Sequence, residues 1–173
     1  MDSEIAQPTG PQAERDRLAA IVRAFADFGA SPARADALMD EAVRRLQALT
    51  RATGAVLELI DQEDLVYAVA SGTAKPHVGL RLAQATSLSG RCLAEHAALR
   101  SPDTAQDPRV DATASRALQA RSMLVVPVLH GRLAVGVLKV TSTGTDAFDD
   151  LDEQVLRAMA GLLAGLLARA AAG

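Results

Sequence analysis

Residues 122–141 read SMLVVPVLHGRLAVGVLKVT, and this stretch carries the strongest structural signal in the chain. Two valine-rich apolar runs, 122–129 and 132–141, predict two β-strands. Only His130-Gly131 separates them, so the strands must pair antiparallel across a tight turn. Pro127 has no N–H group to give to a strand ladder, which predicts a sheet edge or a bulge at that position.

An earlier pair of apolar runs predicts a second hairpin. Residues 55–60 and 65–70 are apolar, and the polar segment 61–64 between them is short enough for a turn. Helices are predicted on both sides of the hairpins, at residues 14–28, from Ser31-Pro32 to about Gly54, at 87–96, at 112–120 and at about 149–171. This order predicts an α+β fold, an antiparallel sheet with helices on one face.

The charge pattern disfavours two classes of partner. The net charge is −3, and the basic residues are scattered along the chain rather than clustered. Nucleic-acid binding draws its affinity from clustered Lys or Arg, and anionic membrane surfaces attract the same clusters. We therefore expect neither a nucleic acid nor a membrane as partner.

Cysteine usage and the N-terminus indicate a cytoplasmic protein. Cys92 is the only cysteine, which excludes an intrachain disulfide and fits a reducing compartment. The first twelve residues have neither a basic nor an apolar region of the kind that a signal peptide needs. The most apolar stretch, 158–168, is too short to cross a bilayer.

Several stretches, taken in order, carry a family resemblance. They are AVLELI at 55–60, VYAVASG at 66–72, SLSGRCL at 87–93, DPRV at 107–110, RSMLVVPV at 121–128, and Lys139 with Phe148, Asp152 and Glu153. Together they resemble a GAF domain over roughly residues 33–170. The last group departs from the family pattern at Leu138, where the family has Asn.

The resemblance implies a central six-stranded antiparallel sheet. The N- and C-terminal helices would pack on one face, and short helices and loops would cover a pocket on the other. The two less evident strands would lie within 75–84 and near 98–102. We expect residues 1–12 to be a disordered lead-in, 13–30 an N-terminal helix for dimerisation or signalling, and 31–171 the GAF-like domain.

The resemblance also implies a non-catalytic sensory or regulatory role in bacterial-type signal transduction. Such a domain would bind a small molecule, form a homodimer through its terminal helices, and act on an output kinase or cyclase domain or a partner protein. The cofactor, if any, is unknown. The alternative is a structural homodimerisation module whose pocket is vestigial and holds no ligand.

Nine residues are candidates for lining the pocket: Tyr67, Ser89, Cys92, Asp107, Arg109, Arg116, Arg121, Met123 and Val125. Arg116 and Arg121 suit an anion because a guanidinium offers a two-pronged donor, although solvated surface arginines are the alternative. Asp107 and Arg109 could face a polar ligand, or could rigidify the loop through Asx turns.

No residue pattern supports catalysis or a metal site. Cys92 and His96 are four apart on a predicted helix and could share a face, but two ligands do not make a zinc site. The alternative is a buried thiol beside a surface histidine. The resemblance adds that free-methionine-sulfoxide reductases share this fold but need at least a cysteine pair, and that covalent bilin attachment needs a cysteine that segment 111–120 lacks.

The C-terminal helix carries signals for packing. Ala160, Ala164 and Ala168 recur every four residues, as do Gly161 and Gly165, and small residues at this spacing allow another helix to approach closely. This favours a homodimer through the terminal helices. We also expect Lys139 to pair with Asp152 or Glu153 and tie the last strand to the last helix.

Overall fold

The computed structural model describes residues 10–13, 15–17 and 34–172. Its six strands are β1 (Gly54–Asp61), β2 (Asp64–Gly72), β3 (Arg81–Ala83), β4 (Leu99–Ser101), β5 (Ser122–His130) and β6 (Leu133–Ser142). They form one antiparallel sheet in the order β3-β2-β1-β6-β5-β4. Both predicted hairpins are confirmed, and the two less evident strands lie inside the segments expected for them.

Within residues 34–172, four helices cover the sheet: α1 (Ala35–Leu49), α2 (Leu88–Glu95), α3 (Ala112–Ala117) and α4 (Asp150–Ala172). Two short 3-10 turns, Lys75–His77 and Gln84–Thr86, lie between β2 and α2. The α+β class with a six-stranded antiparallel sheet is therefore confirmed. Of the predicted lead-in 1–12 and helix 13–30, residues 1–9, 14 and 18–30 lie outside the described residues, whereas 11–13 and 15–17 are helical.

Alternation along the central strands divides the buried residues into two cores. Leu138 and Val140 of β6 face the long helices, where α1 and α4 bury a continuous apolar stripe against the sheet. Val137, which precedes Leu138, faces the opposite side and joins a second core beneath the short helices. Because strand side chains alternate with a period of two, each central strand supplies both cores.

Two register irregularities modify the sheet. In β2 a bulge pairs Leu57 with Val69 but Glu58 with Tyr67, so Ala68 is the extra residue. Between β5 and β6 the register shifts after Val128, so Val135 of β6 is the extra residue. β4 pairs only with Met123–Val125 of β5. Pro127 lies beyond the end of β4, where this side of β5 has no neighbouring strand among the described residues, as expected for a proline at a sheet edge.

The bounds of α1 and α3 differ from the prediction, and α1 ends at Leu49 rather than near Gly54. Arg34 is extended, with φ −68° and ψ 159°, so α1 begins at Ala35 and not at the predicted Ser31-Pro32 boundary. The helix predicted over 112–120 ends at Ala117, because Gln119 adopts a left-handed conformation with φ 55° that stops propagation.

A glycine allows α2 to approach the preceding turn. A Cβ atom built on Gly90 would lie 1.8 Å from the carbonyl oxygen of Gln84, which no side chain could tolerate. The side chain of Ser87 caps the helix by accepting a hydrogen bond from the Gly90 N–H. This seats α2 firmly over the second core.

The start of α4 is fastened by reciprocal hydrogen bonds. The N–H of Asp149 donates to Asp152 Oδ2 over 2.8 Å, and the N–H of Asp152 donates to Asp149 Oδ1 over 2.9 Å. This is a capping box built from two aspartates. Arg17, from the N-terminal segment, bridges both carboxylates, at 3.0 Å from Asp149 Oδ2 and in direct contact with Asp152 Oδ1.

These contacts set the protonation of both acids. Burial raises the pKa of Asp152 to about 6, and this outweighs the opposing effects of the Asp149 N–H and the Arg17 charge. Burial also acts to raise the pKa of Asp149, but the N–H of Asp152 and the side chain of Arg17 lower it to about 2. Asp152 is thus the carboxyl of this cap that changes charge near neutral pH.

Replacing Asp152 with Asn should remove a pH dependence of stability. Because the pKa of Asp152 is higher in the folded protein than its ordinary 3.8, folding gains from its protonation. That gain is present at low pH and is lost as the pH rises through about 6. We expect the free energy of unfolding of the wild type, relative to Asp152→Asn, to be about 2 kcal/mol larger near pH 4 than near pH 7.5.

Urea denaturation at the two pH values would measure this difference. Asp149, whose pKa is about 2, is present in both proteins, so its own contribution to the pH dependence cancels in the comparison. A wild type and variant whose stabilities run parallel across the window would contradict the assignment.

Candidate functional site

A buried charged cluster lies at the centre of the face opposite the long helices. Lys139 Nζ is 2.5 Å from Glu58 Oε1, 3.3 Å from the Tyr67 hydroxyl and 5.2 Å from the Tyr67 ring centroid. Glu58 and Tyr67 are fully buried, and Lys139 is 3 % exposed. Lys and Glu are rarely buried in this way, so the pair distinguishes this face from an ordinary aliphatic core.

The strand pattern brings these three side chains together. Lys139 lies opposite Val56 of β1 and Val125 of β5, on the face of the second core. The bulge in β2 places Tyr67 directly across from Glu58.

The predicted pairing of Lys139 with Asp152 or Glu153 is wrong. Leu138 and Val140 face α4, so alternation turns Lys139 to the opposite side of the sheet. Arg100 of β4 makes the strand-to-helix link instead, at 2.6 Å from Asp150 and 3.0 Å from Glu153.

The cluster favours the charged lysine. Burial acts to lower the pKa of Lys139, but the neighbouring Glu58 carboxylate and Tyr67 raise it above its ordinary value. Burial raises the pKa of the Tyr67 hydroxyl, which stays protonated. Burial, aided by the charge of Glu58, also raises the pKa of Cys92 to about 12.

Several polar atoms of this face lack hydrogen-bond partners among the described residues. The Lys139–Glu58 approach brings opposite charges together, but neither carboxylate oxygen of Glu58 has a partner of hydrogen-bonding geometry. The hydroxyl of Ser89, on α2, is also buried without a partner. An unsatisfied buried polar group costs about 1–3 kcal/mol, and more when it is charged.

Beside the cluster lies a small inner cavity of about 10 Å³. Its polar lining comes from Tyr67, Lys139, Ser87, Asp111 and Ser115, and its apolar lining from Leu82, Leu88, Val110, Ala114, Leu118 and Met123. This volume is about that of a single water-sized probe. In this conformation, α2 and α3 close down on the sheet.

A larger outer cleft of about 960 Å³ opens on the other side of α3. It is lined by the loop at 104–108, by α3 and the residues after it, and by Thr143. Val110 and Ser115 belong to the linings of both the inner cavity and the outer cleft. Helix α3 and the residue before its cap therefore form a wall between the two spaces.

The candidates from the sequence divide between these spaces. Tyr67 and Met123 line the inner cavity, and Ser89, Cys92 and Val125 are buried in the same region. Asp107, Arg116 and Arg121 line the outer cleft. Arg109 lines neither space, because its guanidinium is bound to the Asp107 carboxylate and to the carbonyl of Arg100.

The loop around Asp107 forms Asx turns, the alternative to ligand binding that the sequence offers for this loop. Asp103 Oδ1 accepts a hydrogen bond from the Ala105 N–H, and Asp107 Oδ1 accepts one from the Arg109 N–H. Arg109 holds the pKa of Asp107 at about 2, so this carboxylate remains charged.

Cys92 and His96 do not form a pair. Cys92 is fully buried, whereas His96 ends α2 in a left-handed conformation with φ 50° and is exposed. Across the described part of the chain, no three His, Cys, Asp or Glu side chains are grouped as a metal site would need. Nor does any described helix combine the length and apolarity needed to span a membrane.

The sequence interpretation missed Glu58, Asp111, Ser87 and Ser115 as site residues, and it placed Lys139 on the wrong face. A signal existed for two of them. Glu58 and Lys139 are each the single charged residue inside an apolar strand segment, AVLELI and AVGVLKV. A charge at such a position needs a partner on the same face of the sheet.

The buried pair yields a test of its energetics. Lys139→Met would leave Glu58 buried without a counter-charge, and we expect it to lower the free energy of unfolding by about 3–5 kcal/mol. The double variant Glu58→Leu with Lys139→Met removes both charges and should recover most of that loss. Chemical denaturation of the two variants decides: a double variant as unstable as Lys139→Met would contradict a loss caused by the unpaired Glu58 charge.

Comparison with known proteins identifies the fold. A GAF domain family model matches residues 32–168, whereas no curated protein matches the chain. The GAF domain of an Acinetobacter phosphoenolpyruvate-protein phosphotransferase is 20% identical, with a TM-score of 0.78 over 91% of this chain and 96% of that one. Its counterpart from Coxiella burnetii is also 20% identical over the same shares, with a TM-score of 0.80.

A third similar structure is the free methionine-R-sulfoxide reductase from Neisseria meningitidis in complex with its substrate. It is 19% identical, with a TM-score of 0.75 over 92% of this chain and 93% of that one. Identities this low demonstrate a shared fold and nothing further. With the family model covering most of its length, the chain belongs to the GAF domain family, whose fold serves sensing and regulation.

Proposed function

We propose that this GAF domain is a non-catalytic regulatory module that binds a small polar molecule between α2, α3 and the sheet. The observation that carries the proposal is the buried cluster of Glu58, Lys139 and Tyr67. Replacing such a pair with apolar residues is often neutral or stabilising, so stability alone does not account for its presence.

The cluster has unused hydrogen-bonding capacity. Glu58 Oε2 accepts no hydrogen bond from a described residue, and Oε1, which lies 2.5 Å from Lys139 Nζ, keeps capacity for a further donor. Lys139 has three N–H donors; one reaches the Tyr67 hydroxyl, and the ammonium group also lies against Glu58 Oε1. A ligand with both a donor group and an acceptor group would satisfy this cluster.

Ligand binding would require α2 or α3 to move away from the sheet, because the inner cavity holds only about 10 Å³. Helix α3 is the best candidate for this movement. It has six residues and makes few contacts with other elements. Its displacement would join the inner cavity to the outer cleft, since Val110 and Ser115 separate them.

Catalysis by the thiol is not part of the proposal. Cys92 is the only cysteine, is fully buried, and has a pKa raised to about 12. The thiolate is the nucleophilic form, and it is scarce at neutral pH for such a group. We place the domain in the cytoplasm, as part of a signalling chain with an output kinase, cyclase or partner protein.

A second candidate function is a ligand-free structural module. The filled inner cavity favours it, because its aliphatic lining already packs against itself. The two candidates differ in whether any small molecule changes the surroundings of Tyr67.

Tyrosine fluorescence would separate these candidates. The chain has one tyrosine and no tryptophan, so its emission reports on Tyr67 alone. We expect an amino acid, nucleotide or other small metabolite from a screen to change Tyr67 emission and to raise the thermal midpoint. The Glu58→Leu, Lys139→Met double variant should lose this response while remaining folded.

A screen in which no compound changes Tyr67 emission would favour the structural module. Compounds that bind wild type and double variant with equal affinity would refute a role for the cluster.

Homodimerisation through the terminal helices is the second part of the proposal. On α4, Leu162 is 40% exposed, and the neighbouring Gly161 has open space where a Cβ would stand. An exposed leucine beside a glycine allows close approach of a second helix. We expect Leu162→Gln to shift a dimer to monomer in analytical ultracentrifugation.

Leu133→Gln is the matched control for that experiment. Leu133 is 65% exposed and belongs to β6 rather than to a terminal helix. It should leave the association unchanged, and equal effects of the two changes would argue against an interface on α4.

A further inference from the structure

We propose that the outer cleft is a binding site in its own right, for a small organic anion that carries a carboxylate or phosphate group on an apolar body. Arg116 would hold the anionic group. This site is additional to the inner cavity and does not depend on a ligand there.

The size and lining of the cleft suit such a molecule. Its volume of about 960 Å³ lies near the upper end of small-molecule pockets, which span about 300–1,000 Å³. Pro108, Val110 and Ala120 supply apolar surface, while Gln106 and Gln119 supply amide donors. A ligand with an apolar body and one charged end matches this mixture.

The balance of charge in the cleft is positive. Asp107 is the only acid in its lining, and Arg109 neutralises it with two hydrogen bonds of 2.9 and 2.7 Å. The Arg121 guanidinium forms an ion pair with Asp103 Oδ1 at 3.2 Å. Arg116 has no ion-pair or hydrogen-bond partner among the described residues, so its charge is uncompensated.

Arg116 is unusual in this respect. Most arginines with described side chains pair with a carboxylate, including Arg44, Arg81, Arg91 and Arg157. A guanidinium that is unpaired and lines a concave surface can bind carboxylate or phosphate through two parallel hydrogen bonds. Surface arginines outside a cleft lack the surrounding walls that would hold the rest of a ligand.

The wall formed by Val110 and Ser115 keeps this site separate from the inner cavity. The outer cleft is already open, so an anion can enter it without movement of α2 or α3. A ligand in the cleft should therefore leave the environment of Tyr67 unchanged.

Titration of the full chain with phenyl phosphate and with benzoate, followed by NMR, tests the proposal. We expect saturable shifts of the amide signals of Arg116, Gln119 and Thr143, and much weaker binding of the uncharged probe benzyl alcohol. Arg116→Gln should weaken binding about tenfold or more, the loss expected for a charge-assisted hydrogen bond. Arg116→Lys keeps the charge but loses the two parallel N–H donors of the guanidinium. Its affinity should lie between those of the wild type and Arg116→Gln.

Arg132→Gln is the control for charge alone. Arg132 is exposed in the turn between β5 and β6 and lies outside the cleft. It should change the affinity by less than about twofold, because distant exposed charges are screened by salt.

Three results would overturn the proposal: no saturable shifts at the cleft, equal weakening by Arg116→Gln and Arg132→Gln, or benzyl alcohol binding as tightly as phenyl phosphate. Tyr67 emission separates this test from that of the inner cavity. Anion binding that changes Tyr67 emission, and that Tyr67→Phe abolishes in a folded protein, would place the anion in the inner cavity and refute the outer site.

Discussion

Strands β1 and β6 lie at the centre of the sheet, and their two-residue alternation governs both faces of the protein. Leu138 and Val140 pack against the long helices, while Val137 and Lys139 face the short ones. A register shift of one residue would exchange these faces and bury Lys139 beneath α4 without Glu58. The register of the central strands therefore fixes the helical core and the charged cluster together.

The same alternation places a costly feature where function is proposed. Glu58 and Lys139 are buried among aliphatic side chains, and the glutamate oxygens lack hydrogen bonds within the described residues. Burying a charged pair requires close geometry to offset the loss of hydration. Because the β2 bulge also brings Tyr67 across from Glu58, the site combines opposite charges with a hydroxyl group. A ligand of the kind we propose would recognise this combination of groups.

Helix α3 lies between the inner cavity and the outer cleft. It separates the closed inner cavity from the open outer cleft, and its Ser115 lines both. The residues that pack beneath it, such as Leu118, hold it against the second core. A change in the position of this short helix would alter both spaces at once, and β5 begins four residues after Leu118. Strand β5 in turn packs on α4, which offers a physical route from the pocket to the C-terminal helix.

The sequence alone determined the hairpins, the order of the elements and the burial of most strand residues, because the hydrophobic period of two is a local property. It also indicated Tyr67 and Met123 for the inner cavity. Only the tertiary structure decided the partner of Lys139 and the division between cavity and cleft. Those depend on the β2 bulge and on strands distant in sequence, which bring Glu58 and Lys139 together across 81 positions. No local pattern encodes such a contact, because it exists only once the sheet has formed.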